Sequence, residues 1–195
     1  MPLPGSGRRG PYRPTAHRYS MDTILYKSYK LRPFQEGDKK TKLKLGLHKE
    51  IRKGYGADYR IVPTLTQEMV EAWYKKEKET GLWVIENFSE PIGHCGLIND
   101  FFRIGFWHPK FMNHGHGTTI ANIVLTYAFE YLNKHRASLH VLDYNKIAIR
   151  SYQKAGFKFV RPLEELVEIA GKFEQENLME VIKESFTNSL EIKVL

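Results

Sequence analysis

The sequence predicts one mixed α/β domain of the α+β class, and two observations lead to that prediction. The chain has 195 residues, of which 42% are hydrophobic and 13% aromatic, which is sufficient for one sizeable core. Helical and strand-like segments alternate through the earlier part of the chain, and hairpin-like segments close it. That order is typical of helices packed against a single sheet.

The earlier elements are predicted from periodicity and capping residues. Apolar residues recur every four positions from 43 to 51, which indicates an amphipathic helix with a cationic outer face. Thr66 and Gly81 are the expected start and stop of the next helix. The predicted elements are a strand over 22–34, a helix over 39–53 with Asp38 as its N-cap candidate, a loop over 54–59, a helix after Thr66, and a hairpin of strands over 82–88 and 91–98.

The later elements follow the same reasoning. They are a central strand over 101–107, a wide apolar helix over 120–132, a strand over 138–142, a short helix capped by Asn145 and ended by Gly156, an extended segment over 157–161, and an antiparallel pair over 163–169 and 173–182. The last ten residues are polar and weakly patterned.

The excess positive charge is unevenly placed. Residues 1–20 contain four arginines and no acidic residue, so they hold half of the net charge of +8. They are rich in proline and glycine, which predicts a disordered basic arm ahead of a domain over 21–195. Two alternatives are an organelle presequence, whose amphipathic helix the prolines disfavour, and an arm made dispensable by a translation start at Met21.

Cysteine content and hydropathy limit the environment. Cys95 is the one cysteine, so no internal disulfide can form, and a cytoplasmic location is predicted. No apolar run reaches the roughly 18 residues of a membrane span, so no membrane partner is expected. A nucleic-acid partner is not favoured, because no known binding motif accompanies the basic segments.

A glycine-bearing loop lies between the predicted strand over 101–107 and the helix that follows. Gly115 and Gly117 let backbone N–H groups point inward, and the helix start adds unpaired N–H groups and the positive end of its dipole. A phosphate-bearing ligand is therefore predicted here. The loop is neither a Walker loop nor a full dinucleotide fingerprint, since Ile120 replaces the third glycine. Taken alone, the two glycines also fit an ordinary turn.

A second stretch of interest covers residues 145–158. Asn145 is placed to cap a helix and to face a ligand, and Tyr152 lies about two turns later on the same face. By itself, Tyr152 also fits a half-buried core position.

In order and spacing, the two stretches together resemble the GCN5-related N-acetyltransferase (GNAT) superfamily. The resemblance covers residues 27–186 and is nearest to the branch of ribosomal-protein alanine and spermidine N-acetyltransferases. The matching patterns are Met112-x-x-Gly115-x-Gly117 and Asn145-x-x-Ala148-x-x-x-Tyr152-x-x-x-Gly156-Phe157, with support from Arg32-Pro33, Pro91-Ile92-Gly93, Gly96-Leu97 and Arg103 to Trp107.

The resemblance implies a fold and an activity. The fold is a central, mostly antiparallel twisted sheet with one splayed parallel pair and helices on both faces. The activity is transfer of the acetyl group of acetyl-CoA, as co-substrate and without a metal, to a primary amine of a protein N-terminus or a small molecule. The alternative is a catalytically weak acyl-CoA-binding regulatory module. The oligomeric state stays open, with a homodimer as one alternative.

The resemblance also implies roles for particular residues. Tyr152 is the expected catalytic acid for the leaving thiolate. A backbone N–H near Phe106 and Trp107 is expected to stabilise the thioester oxyanion, and Asn145 to bind the pantetheine arm. The expected pyrophosphate contacts are the backbones of Gly115, His116, Gly117, Thr118 and Thr119, with the hydroxyl of Thr118 or Thr119.

Two departures from the family pattern affect these roles. Met112 replaces the usual Arg or Gln of the loop, and Arg103 stands where many relatives carry a glutamate base. The base is therefore unassigned, and a solvent relay is the alternative to the candidates Asp100, His94, His140 and Glu168.

Two further expectations concern metal binding by the histidines and the identity of the acceptor amine. His108, His114 and His116 lack the helical spacing of a zinc site, so no metal is predicted. In the superfamily the acceptor is set by the segment that corresponds to residues 39–65 and by the late hairpin. The lysine-rich helix over 39–53 is expected to repel a polyamine, which favours a protein N-terminus or a less charged amine.

Overall fold

The computed structural model describes residues 22–195, so the predicted basic arm and Met21 lie outside the described residues. The α-helices are α1 Gly37–Leu45, α2 Lys49–Gly54, α3 Gln67–Glu79, α4 His116–Thr126 and α5 Lys146–Lys154. The strands are β1 Ile24–Tyr26, β2 Tyr29–Arg32, β3 Trp83–Asn87, β4 Glu90–Ile98, β5 Phe101–Phe106, β6 Arg136–Leu142, β7 Lys158–Pro162, β8 Val167–Ile169, β9 Lys172–Glu174, β10 Glu176–Ile182 and β11 Lys193–Val194. Over residues 22–195, no helix is long and apolar enough to cross a membrane.

One nine-stranded sheet organises the described chain, in the order β11-β1-β2-β3-β4-β5-β6-β10-β7. Neighbouring strands run antiparallel except β5 and β6, which are parallel and share one bridge, between Phe101 and Ser138. Beyond that bridge β5 and β6 diverge and leave a gap in the middle of the sheet. The predicted mostly antiparallel sheet with a splayed parallel pair is confirmed.

Helices cover both faces of the sheet because its strands alternate apolar side chains between them. On β3, Trp83 and Ile85 join the larger core around α4, whereas Val84 packs with Tyr74 of α3 and with Trp107 in a smaller core. Helices α4 and α5 contact each other on the first face, and α1 and α3 contact each other on the second. The gap between β5 and β6 thus lies between two faces of the sheet that carry different helices and different cores.

Local capping signals are confirmed. The Thr66 hydroxyl accepts the Met69 N–H at 3.2 Å and begins α3, and Gly81, at φ +73°, follows its end. The turn between β3 and β4 places Phe88 and Ser89 at positive φ, as a two-residue hairpin requires.

Two early elements differ from the sequence expectation. The segment over 22–34 is a hairpin of β1 and β2, with Lys27 at φ +51° in the turn. The predicted helix over 39–53 breaks at Gly46, whose φ of +72° ends α1 and lets α2 take a new direction. Asp38 is not the N-cap but lies inside α1, where its carboxylate accepts hydrogen bonds from Arg32 at 2.7 and 2.9 Å.

The predicted antiparallel pair over 163–169 and 173–182 is confirmed only next to its turn, where β8 pairs with β9. β8 and β9 form their own small sheet, and β10 instead inserts between β6 and β7. Residues 193–194, expected to be weakly patterned, pair with β1 at the sheet edge. The pairings of β10 with β6 and of β11 with β1 join residues far apart in the chain, which local patterns do not specify.

Candidate functional site

The gap between β5 and β6 exposes an unpaired backbone edge inside the sheet. The Trp107 N–H donates to the Ile92 carbonyl of β4 at 3.0 Å. Because backbone groups alternate sides along a strand, Gly105 also faces β4, whereas Ile104 and Phe106 direct their N–H and C=O groups into the gap. A ligand in the gap therefore meets free donors and acceptors at a fixed spacing.

A cleft of about 260 Å³ lies over this gap. It is lined by β5, β6, the loop before α4, the first turns of α5 and one side of α2. Of the residues predicted to act, Phe106, Gly115, Gly117, Asn145 and Tyr152 line it. The structure thus brings together side chains that the sequence separates by more than forty positions.

The anion end of the cleft is the start of α4. Gly115 adopts the left-handed conformation at φ +81°, and no side chain caps the helix. In the described structure the N–H groups of His116, Gly117 and Thr118 have no hydrogen-bond partner. Three unpaired donors at the positive end of a helix form a site that favours a phosphate or another anion.

Thr119 differs from these three residues because its N–H is already paired. Its N–H donates to the Gly115 carbonyl at 3.2 Å, and its hydroxyl lies 3.4 Å from the same oxygen. The Thr118 hydroxyl donates to the Ser151 carbonyl at 3.3 Å and so ties α4 to α5. Both hydroxyls thus donate within the protein, and a contact of either one to a pyrophosphate stays a prediction.

His116 contributes its backbone rather than its ring. Its Nδ1 lies 2.6 Å from the Tyr29 hydroxyl on β2, and the two rings meet edge to face. Burial lowers the pKa of His116, so its imidazole is a neutral packing group. The anion site thus depends on backbone donors, which Met112 beside the loop does not supplement with a charge.

Tyr152 lies on α5 and lines the cleft. Its ring packs edge to face against Phe102 and Phe157, with ring centres 6.1 and 6.0 Å away. Within residues 22–195 its hydroxyl has no hydrogen-bond partner, and it faces the cleft. Burial raises the pKa of Tyr152 to about 12, so the phenol keeps its proton at neutral pH and is a free proton donor.

Asn145 has two structural partners. Its Oδ1 accepts the Ala148 N–H at 3.3 Å, which confirms the predicted cap of α5, and its Nδ2 donates to the Gly54 carbonyl at the end of α2 at 3.3 Å. Asn145 lines the cleft but holds α2 in place. A direct contact to a ligand arm stays a prediction.

The N–H groups of Trp107 and Phe106 point to opposite sides of β5. The Trp107 N–H already pairs with β4, its side chain is 1% exposed, and its indole N–H donates to His94 Nδ1 at 2.9 Å. The Phe106 N–H faces the gap and is the donor available to a carbonyl placed there. Sequence alone does not show which of two successive N–H groups faces the gap.

The four candidate bases differ in whether they line the cleft and can accept a proton. His94 accepts the Trp107 N–H at Nδ1, and burial lowers its pKa to about 3, so it has no free lone pair for a proton. Asp100 pairs with Lys134 at 2.8 Å, and Glu168 lies on β8, outside the cleft. Of the four candidates, His140 lines the cleft.

Sequence reasoning missed two carboxylates of the cleft, Glu50 and Glu176. Glu50 lines the cleft from the same side of α2 as Ile51 and Gly54. This side of α2 would have been predictable if the helix over 39–53 had been divided at Gly46. Glu176 begins β10 opposite Leu142 of β6, a pairing without a local sequence signal.

Comparison with known proteins identifies the family. The sequence model of the acetyltransferase (GNAT) domain matches residues 29–158. The chain belongs to the GNAT acetyltransferase family. The predicted family of acyltransferases and its fold are confirmed.

Individual relatives agree with the branch predicted for this GNAT domain. Spermidine N(1)-acetyltransferase from Vibrio cholerae serotype O1 is 30% identical over 83 residues, which are 43% of this chain and 48% of the relative. The match thus spans just under half of that relative's length. The structure of spermidine N-acetyltransferase from Vibrio cholerae with CoA and spermine superposes with a TM-score of 0.67, at 25% identity over 81% of this chain and 97% of that one.

A third relative shows the fold alone. RimJ from Mycobacterium smegmatis, in complex with CoA-disulfide, superposes on the GNAT domain with a TM-score of 0.69. It is 18% identical, and the match covers 88% of this chain and 91% of RimJ.

Proposed function

We propose that this chain is an acetyl-CoA-dependent N-acetyltransferase that acts on a primary amine. The observation that carries the proposal is one cleft that brings together the unpaired donors at the start of α4, the open edge of β5 and the Tyr152 phenol. The spermidine acetyltransferase relative binds CoA, which supports the same co-substrate here.

Each part of acetyl-CoA has a matching part of the cleft. The pyrophosphate binds the N–H groups of His116, Gly117 and Thr118 at the start of α4. The amide-bearing arm follows the open edge of β5, because its amides can pair with backbone groups that lack a strand partner. The thioester then lies near Phe106, on the same edge.

The transfer step uses three groups of the cleft. The amine lone pair forms a bond to the thioester carbon, and the carbonyl oxygen gains negative charge that the Phe106 N–H stabilises. The C–S bond then breaks, and the thiolate takes the Tyr152 proton. The ammonium proton passes to Glu50, Glu176 or His140, or through water to solvent, and the phenolate is reprotonated from solvent.

The surroundings of the lysines change the expected acceptor. Lys39 pairs with Glu36 and Glu71, and the mostly buried Lys42 packs over Trp73 at 5.7 Å, so neither faces the cleft. The lysines of α2 lie over the rings of tyrosines outside the cleft. The repulsion expected from the sequence is therefore absent from the cleft wall.

Charges on the cleft wall favour a cationic amine. Glu50 and Glu176 supply carboxylates, against the single guanidinium of Arg103. The Vibrio cholerae relative was solved with spermine, which points to the same chemical class. We therefore propose polyamines as the favoured class of acceptor and protein N-termini as the second class.

The test is turnover of acetyl-CoA by the full chain against spermidine, spermine, peptides with free N-termini and an aminoglycoside. Amine-dependent release of CoA, with the acetylated amine identified by mass spectrometry, is the expected result. Binding of acetyl-CoA without transfer to any of these amines would contradict the proposal.

One observation favours the regulatory-module alternative. Arg103 occupies the strand position at which a carboxylate base is expected, and no hydrogen bond or ion pair holds it in the described structure. A chain that binds acetyl-CoA tightly but does not transfer its acetyl group would be such a module. The same assay therefore separates the two functions.

A further inference from the structure

Tyr55 follows α2 and reaches across the cleft to β5. Its hydroxyl donates to the Ile104 carbonyl at 3.2 Å, and its ring lies nearly parallel to that of His94, with centres 6.4 Å apart. Tyr55 is 47% exposed and lines the cleft. Desolvation raises the pKa of Tyr55 well above its ordinary value, so its hydroxyl remains a neutral donor.

Gly105 makes this insertion possible. A Cβ at Gly105 would lie 1.2 Å from the Tyr55 hydroxyl oxygen, 2.4 Å from Tyr55 Cζ and 3.0 Å from His94 Cε1. The backbone of Gly105 is extended strand, which any residue adopts, so its conformation does not demand glycine. Glycine is required here because the Tyr55 hydroxyl approaches the backbone so closely.

The end of α2 is anchored on the far side of the gap, which fixes Tyr55 over it. The Tyr144 hydroxyl donates to the Lys53 carbonyl at 2.8 Å, and Asn145 Nδ2 donates to the Gly54 carbonyl at 3.3 Å. Both donors lie between β6 and α5, whereas Tyr55 bonds to β5. The segment 53–55 therefore bridges the two strands that diverge.

Tyr55 stands next to the position of the reacting group. Ile104 and Phe106 are successive gap-facing residues of β5, about 7 Å apart along the strand. The Phe106 N–H is the donor assigned to the thioester oxygen, and Tyr152 lines the same cleft. An acyl chain that extends from the thioester carbon towards Ile104 would therefore meet the Tyr55 phenol.

We propose that Tyr55 closes the acyl end of the cleft and restricts the transferred group to a short acyl chain, with Gly105 providing the space for its hydroxyl. This inference rests on the proposed acetyltransferase function. It assigns Tyr55 as a specificity-determining residue on the acceptor-binding segment. Acyl length and acceptor binding are then set by neighbouring residues of one segment.

The test compares acetyl-CoA, propionyl-CoA and butyryl-CoA with one amine, in the parent and in Tyr55→Ala. Opening the wall should raise the butyryl-to-acetyl ratio of kcat/KM about tenfold or more, from a gain of roughly fourfold for each buried methylene. Tyr59→Ala is the matched control, since that ring contacts Lys49 and Lys53 and does not line the cleft. The control should keep the ratio within about twofold.

Two further variants examine the contact itself. Tyr55→Phe keeps the ring and should keep the discrimination, because shape rather than the hydroxyl excludes the longer chain. Gly105→Ala should lower Tm in the parent but have a much smaller effect in Tyr55→Ala, where the clashing phenol is gone. Equal effects in both backgrounds would overturn the assigned contact.

A binding measurement separates failure of this inference from failure of the proposed function. If the parent transfers no acetyl group to any amine, the function fails, and calorimetric Kd values for acetyl-CoA and butyryl-CoA still report on Tyr55. A tenfold relative gain for butyryl-CoA in Tyr55→Ala supports the proposal. A parallel change for both thioesters overturns it.

Discussion

Replacing Tyr152 with phenylalanine removes one oxygen from the cleft and leaves the packing of α5 intact. The ring contacts with Phe102 and Phe157 are made by carbon atoms, and the hydroxyl bonds to no other group in the described structure. The free energy of unfolding should therefore change by no more than about 0.5 kcal/mol. Any large effect on activity then arises from chemistry and not from misfolding.

The expected loss in kcat for Tyr152→Phe is about 10²- to 10⁴-fold, the usual contribution of a general acid, or about 3–5 kcal/mol of transition-state stabilisation. The phenol interacts strongly with the thiolate only as the C–S bond breaks. KM for acetyl-CoA should accordingly stay within about twofold.

The pH dependence follows from the raised pKa of Tyr152, about 12. The protonated phenol is the active form, so a higher pKa extends the active range upward. Below about pH 10, kcat should show no decline that is caused by this group.

The assay is steady-state release of CoA between about pH 6 and about pH 10, with thermal melts of each variant. Tyr131→Phe is the control, because that hydroxyl lies 3.4 Å from the Ile192 carbonyl, the side chain is 52% exposed, and it does not line the cleft. A kcat for Tyr152→Phe within threefold of the parent, or a fall matched by an equal rise in KM, would refute the assigned role.

Three further predictions concern the anion site and the fold. Gly117→Pro removes an unpaired N–H of α4 and should raise the calorimetric Kd of CoA at least about tenfold, whereas Met112→Ala should change it less than about threefold. Arg32→Met leaves the Asp38 carboxylate, 2% exposed, without its bidentate partner and should cost about 3–5 kcal/mol in denaturant melts, and unchanged stability would show that the pair is dispensable. Glu77→Gln replaces a carboxyl that is 5% exposed, whose Oε2 is unpaired and whose pKa is raised by burial. The parent loses stability as pH rises through that raised pKa, so thermal melts should show a gain for Glu77→Gln of about 1–3 kcal/mol near pH 8 and none near pH 4.

Elements with local causes were predictable from the sequence. Thr66 and Asn145 cap helices through hydrogen bonds to residues three positions later, and Gly115 provides the left-handed turn ahead of α4. Each signal and its structural effect lie within one or two turns of chain. The spacing between Gly117 and Tyr152 then indicated the family, and both residues line the cleft.

The positions of the strands limited what could be predicted. The sequence predicted an oxyanion donor near Phe106 and Trp107, and the β4–β5 pairing shows that the Phe106 N–H is the one that faces the gap. Likewise, the hydroxyl of Thr118 or Thr119 was expected to contact a ligand, and the Thr118 hydroxyl donates to Ser151 on a different helix. In both cases the partner lies on another element of the fold.

The sequence by itself thus determined the helix caps at Thr66 and Asn145 and the family, because short-range geometry and motif spacing encode them. Only the tertiary structure decided which backbone groups are free, which carboxylates line the wall, and that Tyr55 lies over Gly105. The physical reason is that these properties depend on contacts between separate elements, such as those of Tyr55 with Ile104 and of Gly54 with Asn145, which are 49 and 91 positions apart. Such contacts are fixed by strand register and packing, which no local pattern records.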